Sequence, residues 1–144
     1  MWIEHLMASR VTHAIELTAQ FAERRHNVLA ENVANIDTPN YQTKSLDPQA
    51  FQTALREAVR SGDKTGAHEL GLRSAQAHTD SAGRLQVRPA TQPPSNALFH
   101  DGTHASVEAL MVDVQENALT YNLAVNYLRA RFDGLMTAIR GRAQ

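Results

Sequence analysis

The stretch SVEALMVDVQENALTYNLAVNYLRARFDGLMTAIR (residues 106–140) decides the fold of this chain. Apolar residues recur in it at every third or fourth position, which keeps them on one side of an α-helix through about nine turns. This assembly seam consists of Val107, Met111, Val114, Ala118, Tyr121, Val125, Leu128, Phe132, Leu135 and Ile139. Ser106 can cap the first turn, and Arg140 and Gly141 are stop signals. The sequence predicts a long C-terminal helix within residues 106–144.

The middle of this helix has a second apolar side. Residues 117–128 contain no charged side chain, and Leu119, Leu123 and Tyr127 lie nearly opposite the seam. A helix that is apolar all round is usually buried all round. The helix is therefore either the centre of an ordinary small bundle or a helix whose second face meets other protein chains.

The composition narrows the function classes. A chain of 144 residues forms one domain, or two helical ends around a small insert. A net charge of −1 gives no electrostatic basis for binding nucleic acid or an anionic membrane, and no apolar run approaches the roughly 18 residues that span a bilayer. The absence of cysteine excludes thiol chemistry. The seven histidines do not show the spacing of metal ligands, and the sequence contains no catalytic motif. We therefore expect no metal, no cofactor and no enzyme activity.

A second long helix is predicted from about Ile3 to Ile36, within an N-terminal segment of residues 1–36, because a wide apolar stripe runs along it. The two terminal helices can pair along their seams as an antiparallel, coiled-coil-like hairpin. We therefore expect a mainly all-α fold in which this hairpin packs between subunits. Because each buried Leu, Val or Phe is worth roughly 1.5–3 kcal/mol, the tendency to self-associate is large.

The middle of the chain falls into two segments. In residues 37–60 Pro39 disfavours the helical conformation at Thr38, and Asp47 with Pro48 signals the start of a short helix that ends near Arg60. Glycines and prolines punctuate residues 61–105. This pattern predicts a loop-rich insert that contains one short hairpin, or that stays disordered until a partner binds.

Residues 32–41, NVANIDTPNY, resemble the N-terminal signature of bacterial flagellar rod and hook proteins. The signature anchors are Asn32, Ala34, Asn35, Thr38, Pro39 and Tyr41. Residues 116–122, ENALTYN, resemble a block in the C-terminal helix of the rod proteins. With these two motifs and its length, the chain resembles the flagellar basal body rod protein family. Within that family it is most similar to the small proximal subunits.

The resemblance implies a structural protein of the flagellar basal body. Rod subunits stack helically into a hollow shaft that crosses the periplasm and joins the inner-membrane ring to the distal rod and hook. The implied partners are further copies, other rod subunits, the adaptor protein that joins the rod to the ring and, in transit, the type III export gate. Export without a cleavable signal peptide is also implied. Phe51 and Leu55 look like the element that docks on the export gate, although such a pair also occurs in ordinary helix packing.

The signature turn has a physical reading of its own. Asn32 and Asn35 can satisfy backbone groups near the helix end, Pro39 fixes the exit direction, and Tyr41 can pack its ring while its hydroxyl forms a hydrogen bond. The turn is either an inter-subunit contact or only a local cap. The competing function is a soluble helical adaptor or type III secretion chaperone.

Overall fold

The computed structural model describes residues 10–65, 70–91 and 107–141, with no side-chain description for residues 63–65. Its elements are α1 (Arg10–Ala34), β1 (Lys44–Ser45), α2 (Pro48–Thr65), β2 (Ala77–Thr79), β3 (Leu85–Val87), β4 (Ala90–Thr91) and α3 (Val107–Gly141). The protein is mostly helical, with a long helix at each end and short strands between them, as the sequence predicted. Some of the predicted features lie outside the described residues. They are the Ile3–Ser9 part of the first helix, the Ser106 cap and residues 92–105.

Helices α1 and α3 pack against each other in an antiparallel arrangement. Arg25 Nη2 lies 2.7 Å from Asp113 Oδ1, and Asn117 Nδ2 donates a 2.8 Å hydrogen bond to the Ala22 carbonyl oxygen. From Asp113 to Asn117 the number of the α3 residue rises, while the number of its contact in α1 falls from Arg25 to Ala22. The two helices therefore run in opposite directions. The predicted hairpin of terminal helices is therefore confirmed.

The line of contact along α3 differs from the predicted seam. The buried residues of α3 are Leu110, Asn117 and Ala124, which recur every seven residues. They directly precede the seam residues Met111, Ala118 and Val125. The contact line therefore runs one position before the predicted seam, and the seam residues beside it are half-buried: Val114, Ala118, Val125, Leu128 and Leu135. Five seam residues are 42–53% exposed: Val107, Met111, Tyr121, Phe132 and Ile139.

The hydrophobic core lies between α1, α2 and the strands rather than between the two long helices. Its buried members are Leu17, Phe21, Val28, Leu46, Phe51, Ala58, Leu70, Leu72, Ala77 and Leu85. None of these residues belongs to α3. Helix α1 therefore contacts the core with one face and α3 with another.

Helix α2 begins where the sequence predicted but ends later. Asp47 caps it, since Asp47 Oδ1 accepts hydrogen bonds from the backbone N–H groups of Gln49 and Ala50 at 2.8 and 3.1 Å. The predicted end at Arg60 is wrong, because the helix continues to Thr65. Gly62 is buried inside it, and one glycine costs a helix only about 1 kcal/mol, which packing can outweigh.

The described part of the insert, residues 70–91, is ordered by packing. Strands β2 and β3 form the predicted hairpin, with Thr79 opposite Leu85, and β1 pairs with β4. Leu70, Leu72 and Leu85 are at most 3% exposed. Apolar side chains at alternating positions reach the core despite the glycines and prolines around them.

Helix α1 also binds the insert through two polar side chains. His13 Nδ1 accepts a hydrogen bond from the Leu70 N–H at 3.2 Å, and Gln20 Oε1 accepts one from the Leu85 N–H at 3.0 Å. His13 and Gln20 are seven residues apart and so share a face of α1. This face positions the insert and satisfies its backbone donors.

The position of Phe51 generates the first prediction. Its ring is 2% exposed and stacks on Phe21 with centroids 4.1 Å apart. Phe51→Ala removes this packing and leaves a cavity, so we expect a loss of about 3–5 kcal/mol in the free energy of unfolding. Urea denaturation of dilute protein, followed by circular dichroism, measures it.

Phe132→Ala is the matched control, because Phe132 is 45% exposed on α3. It should change the free energy of unfolding by no more than the roughly 0.5 kcal/mol that is typical of surface positions. Equal losses in the two variants would contradict the placement of Phe51 in the core.

Candidate functional site

Asn32 is the centre of the signature turn. It is 4% exposed, and its side-chain amide pairs with the backbone of Lys44 in the way that a neighbouring strand would. Nδ2 donates to the Lys44 carbonyl oxygen at 2.7 Å, while Oδ1 accepts from the Lys44 N–H at 3.0 Å. Oδ1 also accepts a 3.1 Å hydrogen bond from the Tyr41 hydroxyl. One buried side chain thus joins α1, the turn and β1.

Residues 38–41 form the turn that brings the chain back to Asn32. The Tyr41 N–H donates to the Thr38 carbonyl oxygen at 3.2 Å, and Asn40 has a φ of 61°. Proline at the second position and a positive φ at the third are the pattern of a type II turn. Asparagine tolerates the left-handed conformation better than most residues. The sequence Thr-Pro-Asn-Tyr therefore specifies this reversal locally.

Asn35 has a separate role at the end of α1. Its backbone N–H and its side-chain Nδ2 both donate to the Glu31 carbonyl oxygen, at 3.1 and 2.8 Å. The last turn of a helix leaves carbonyl groups without a helical partner, and Asn35 satisfies one of them. The expectation that Asn35 caps the helix end and that Tyr41 forms a hydrogen bond through its hydroxyl agrees with these contacts.

Two ionisable groups beside Asn32 are perturbed. Burial raises the pKa of the Tyr41 phenol above its usual 10.0, and the negative charge of Glu31 raises it further. The hydrogen bond from Lys44 Nζ to the Glu31 carboxylate raises the pKa of the Lys44 ammonium above 10.5. The folded turn therefore favours a protonated tyrosine and a charged lysine.

The structure divides the signature anchors into an inner and an outer group. Asn32 is buried and Tyr41 half-buried, and these two form the hydrogen-bond network described above. Ala34, Thr38 and Pro39 are exposed. The outer anchors are thus available to another molecule, while the inner anchors hold the turn in shape.

Sequence reasoning missed Gln76, which extends the same arrangement into the insert. Gln76 Nε2 donates to the Ser45 carbonyl oxygen at 3.1 Å, and Gln76 Oε1 accepts from the Asp47 N–H at 2.8 Å. The segment from Lys44 to Asp47 is therefore held by two side-chain amides from distant positions. Because the link spans about 30 residues, only the folded chain reveals it.

Helix α3 exposes two apolar strips. We call one the flank strip, consisting of Val107, Met111, Tyr121, Phe132, Met136 and Ile139, and the other the rear strip, consisting of Val112, Leu119, Leu123 and Tyr127; all are 42–63% exposed. A polar ridge separates them, made of the exposed residues Glu108, Gln115, Asn122, Asn126, Arg129, Asp133 and Arg140. The two apolar sides that the sequence indicated are thus both accessible in the single chain.

The remaining predicted site residues, Phe51 and Leu55, lie on α2. Phe51 is buried in the core and Leu55 is half-buried against it. In the folded chain Phe51 is part of the core, whereas Leu55 packs against the core and also lines a surface groove with Ala14, Arg56, Val59 and Arg60. Within the described residues no group of three or more His, Asp or Glu could hold a metal ion, and no helix there is long and apolar enough to cross a membrane.

Sequence comparison with known proteins agrees with the family resemblance of the signature turn. The sequence model of a family described as "Flagella basal body rod protein" matches residues 18–42, which cover the last two thirds of α1 and the signature turn. The "Flagellar basal body rod protein FlgB" of Escherichia coli (strain K12) is 31% identical, with 88% of each chain covered. A protein of the same name from Cereibacter sphaeroides (strain ATCC 17029 / ATH 2.4.9) is 34% identical, over 83% of this chain and 85% of its own.

These matches assign the chain to the class of flagellar rod structural proteins, and its signature turn lies within the matched residues 18–42. Sequence identity narrows that class further. The chain belongs to the family of the flagellar basal body rod protein FlgB, a family of structural proteins and not a known enzyme family.

The Asn32 network generates a second prediction. Asn32→Ala removes three hydrogen bonds, and two partly buried backbone groups of Lys44 lose the partner that Asn32 provides. We expect a loss on the order of 3 kcal/mol in the free energy of unfolding. Asn35→Ala, a substitution of the same kind three residues later, keeps the backbone bond to Glu31 and should cost only about 0.5–1 kcal/mol. Urea denaturation of both variants measures the difference, and equal losses would contradict the central role of Asn32.

The raised pKa values of Tyr41 and Lys44 generate a third prediction. A group whose pKa is higher in the folded than in the unfolded chain stabilises the fold fully below its unfolded pKa, and this stabilisation is lost as the pH rises through the folded pKa. The free energy of unfolding should therefore decrease above about pH 10. Tyr41→Phe removes the contribution of the phenol, so the decrease between pH 9 and pH 11 should be smaller than in the parent. An unchanged or steeper decrease would show that Tyr41 is not responsible.

Proposed function

We propose that this protein is a structural subunit of the proximal rod of the bacterial flagellum. In this proposal its copies assemble helically, together with other rod subunits, into the hollow shaft that joins the inner-membrane ring to the distal rod and hook. The protein works in the periplasmic part of the basal body and is required for motility. Its further partner is the adaptor protein at the ring.

The observation that supports the proposal most strongly is the exposure of α3. Of the large apolar side chains that are exposed in the described part of the chain, all except Val11 lie on this helix. Soluble monomers rarely expose long contiguous apolar surfaces, and such surfaces mark sites of association. At 35 residues α3 is about 52 Å long. A subunit of a continuous shaft needs this kind of extended apolar surface.

The signature turn supports the proposal in a second way. Ala34, Thr38 and Pro39 are exposed on a turn whose shape is fixed by the buried Asn32 and by a hydrogen-bonded Tyr41. A rigid, exposed turn at the end of α1 can contact a neighbouring subunit without a large loss of conformational entropy on binding. In the proposal the turn is therefore both a local cap and an inter-subunit contact.

Uncharged polar residues give the assembly its register. Asn117 is buried and hydrogen-bonds to the Ala22 carbonyl oxygen, and a buried asparagine of this kind disfavours shifted pairings of two helices. Asn122 and Asn126 stand exposed between the two strips. They can set the register with neighbouring subunits. In this proposal many parallel contacts between the subunits then carry the torque.

Transit through the flagellar type III export gate is part of the same proposal. Because Phe51 and Leu55 pack on the core, docking of this pair on the gate requires the unfolded chain. This requirement fits export before folding. The pair then has two successive roles, first in recognition and afterwards in stabilising the folded subunit.

An in-frame deletion tests the proposed function. Cells without the gene should not swim, and electron microscopy of their basal bodies should show inner-membrane rings without a rod. The intact gene should restore both. Normal basal bodies in the deletion strain would overturn the proposal and favour a soluble helical adaptor or secretion chaperone.

A fourth prediction concerns the rear strip of α3. In the deletion strain, a gene carrying Leu123→Glu should fail to restore swimming, because Leu123 is 63% exposed in the single chain and a glutamate there would be buried without a partner in the rod. The purified variant should be as stable as the parent. Gln115→Glu adds the same charge on the polar ridge and should restore swimming. Normal swimming with Leu123→Glu would exclude this strip from the rod contacts.

A further inference from the structure

Helix α1 holds the insert at two points through two different kinds of acceptor. His13 Nδ1 accepts a hydrogen bond from the Leu70 N–H at 3.2 Å, and Gln20 Oε1 accepts one from the Leu85 N–H at 3.0 Å. The amide oxygen of Gln20 is an acceptor at every ordinary pH. An imidazole nitrogen is an acceptor only while it carries no proton, and imidazole is the side chain that titrates near neutral pH.

The hydrogen bond from Leu70 fixes the form of the His13 ring. Because a backbone N–H can only donate, Nδ1 carries no proton and the neutral ring has its proton on Nε2. Protonation of Nδ1 would place two donors against each other. Leu70 is 1% exposed, so water has little access to replace the lost acceptor. A buried N–H that loses its acceptor destabilises the contact that it belonged to.

The His13 contact lies where the insert enters the core. Leu70 and Leu72 are at most 1% exposed and belong to the core cluster. The Leu70 carbonyl oxygen accepts a 3.3 Å hydrogen bond from Thr79 Oγ1, which joins this segment to β2. Loss of the His13 contact therefore loosens the start of the described insert from α1, while Gln20 still holds β3.

We propose that His13 is an acid-sensitive switch that binds the Leu70 end of the insert to α1 only while its imidazole is neutral. The neutral ring makes the contact, so the stabilisation is present at higher pH. It is lost as the pH falls through the range around about pH 6.5 in which imidazoles titrate. Because the Gln20 contact does not titrate, acid releases the insert at one end. This inference goes beyond the proposed function, since it concerns the shape of the single subunit.

Charged and titratable groups of both signs lie on the elements around His13. They are Arg10 and Glu16 on α1, Arg56 and Arg60 on α2, Arg73 and its bridge partner His78, and Asp80 and Arg84 at the turn between β2 and β3. His68 and Glu69, which precede Leu70 in the sequence, lie outside the described residues. These groups shift the pH at which the ring binds its proton. None of them changes the outcome, because no neighbouring charge turns a protonated Nδ1 into an acceptor.

Nuclear magnetic resonance of the full-length, nitrogen-15-labelled protein tests the switch in two ways. At pH 7.5 the ring spectra of His13 should show a proton on Nε2 and none on Nδ1. Amide hydrogen exchange is then compared at pH 7.5 and pH 5.5, after correction for the intrinsic pH dependence of exchange. In acid the protection of the Leu70 N–H should fall at least about tenfold, as expected for one lost hydrogen bond, and that of Leu85 by less than about twofold.

Two variants show whether His13 is responsible. His13→Gln supplies an acceptor that does not titrate, as Gln20 does, so Leu70 should stay protected at pH 5.5. His26→Gln is the matched control, because His26 is an exposed histidine on the same helix, and this variant should behave like the parent. Protection of Leu70 that does not depend on pH in the parent, or that falls equally in His13→Gln, would overturn the proposal.

A proton on Nδ1 of His13 at pH 7.5 would overturn it as well. That measurement uses the parent protein, so it decides the question even if His13→Gln does not fold. Both tests use the purified subunit, whereas the deletion strain tests the proposed function. A negative result here would therefore leave the rod function untouched.

Discussion

The pairing of the Asn32 amide with the Lys44 backbone is the contact on which the rest of the structure depends. It returns the chain to α1 directly after the turn, although β1 is only two residues long. Leu46 then enters the core, and Phe51 reaches Phe21 on the first turn of α2. Because Gln76 binds the insert to the same segment, the turn, α2 and the insert are all connected through residues 44–47.

Helix α3 stands outside this core, and that position explains how one small chain can be both folded and ready to assemble. Its described contacts with α1 include one hydrogen bond from Asn117 and an ion pair whose Asp113 side chain is 46% exposed. The Arg25 side chain is only 10% exposed, so solvent reaches this ion pair mainly from the Asp113 side. The two contacts define the register of the hairpin without covering the apolar strips of α3. Those strips can therefore be buried by neighbouring subunits.

The sequence predicted the elements better than it predicted the core. Both long helices, the turn at Pro39 and the Asp47 cap follow from local rules of periodicity and capping, which operate within a few residues. The contact line of α3 could not be predicted from the apolar pattern. It includes the polar residue Asn117 and lies beside Asp113, and hydrophobic periodicity counts only apolar residues. Leu70, Leu72 and Leu85 were missed as core residues, since each owes its burial to distant parts of α1. The roles of Asn35 and Tyr41 could be predicted because their partners lie within nine residues. The partner of Gln76 lies 31 residues away.

The central claim is that α3 is covered by neighbouring subunits on both of its apolar sides in the rod. A density map of purified basal bodies at side-chain resolution tests this claim most directly. The account predicts that Leu119, Leu123 and Tyr127 of each inner copy contact another chain, and that Phe132 and Met136 contact a different one. A rod in which either strip of α3 faces solvent would contradict it.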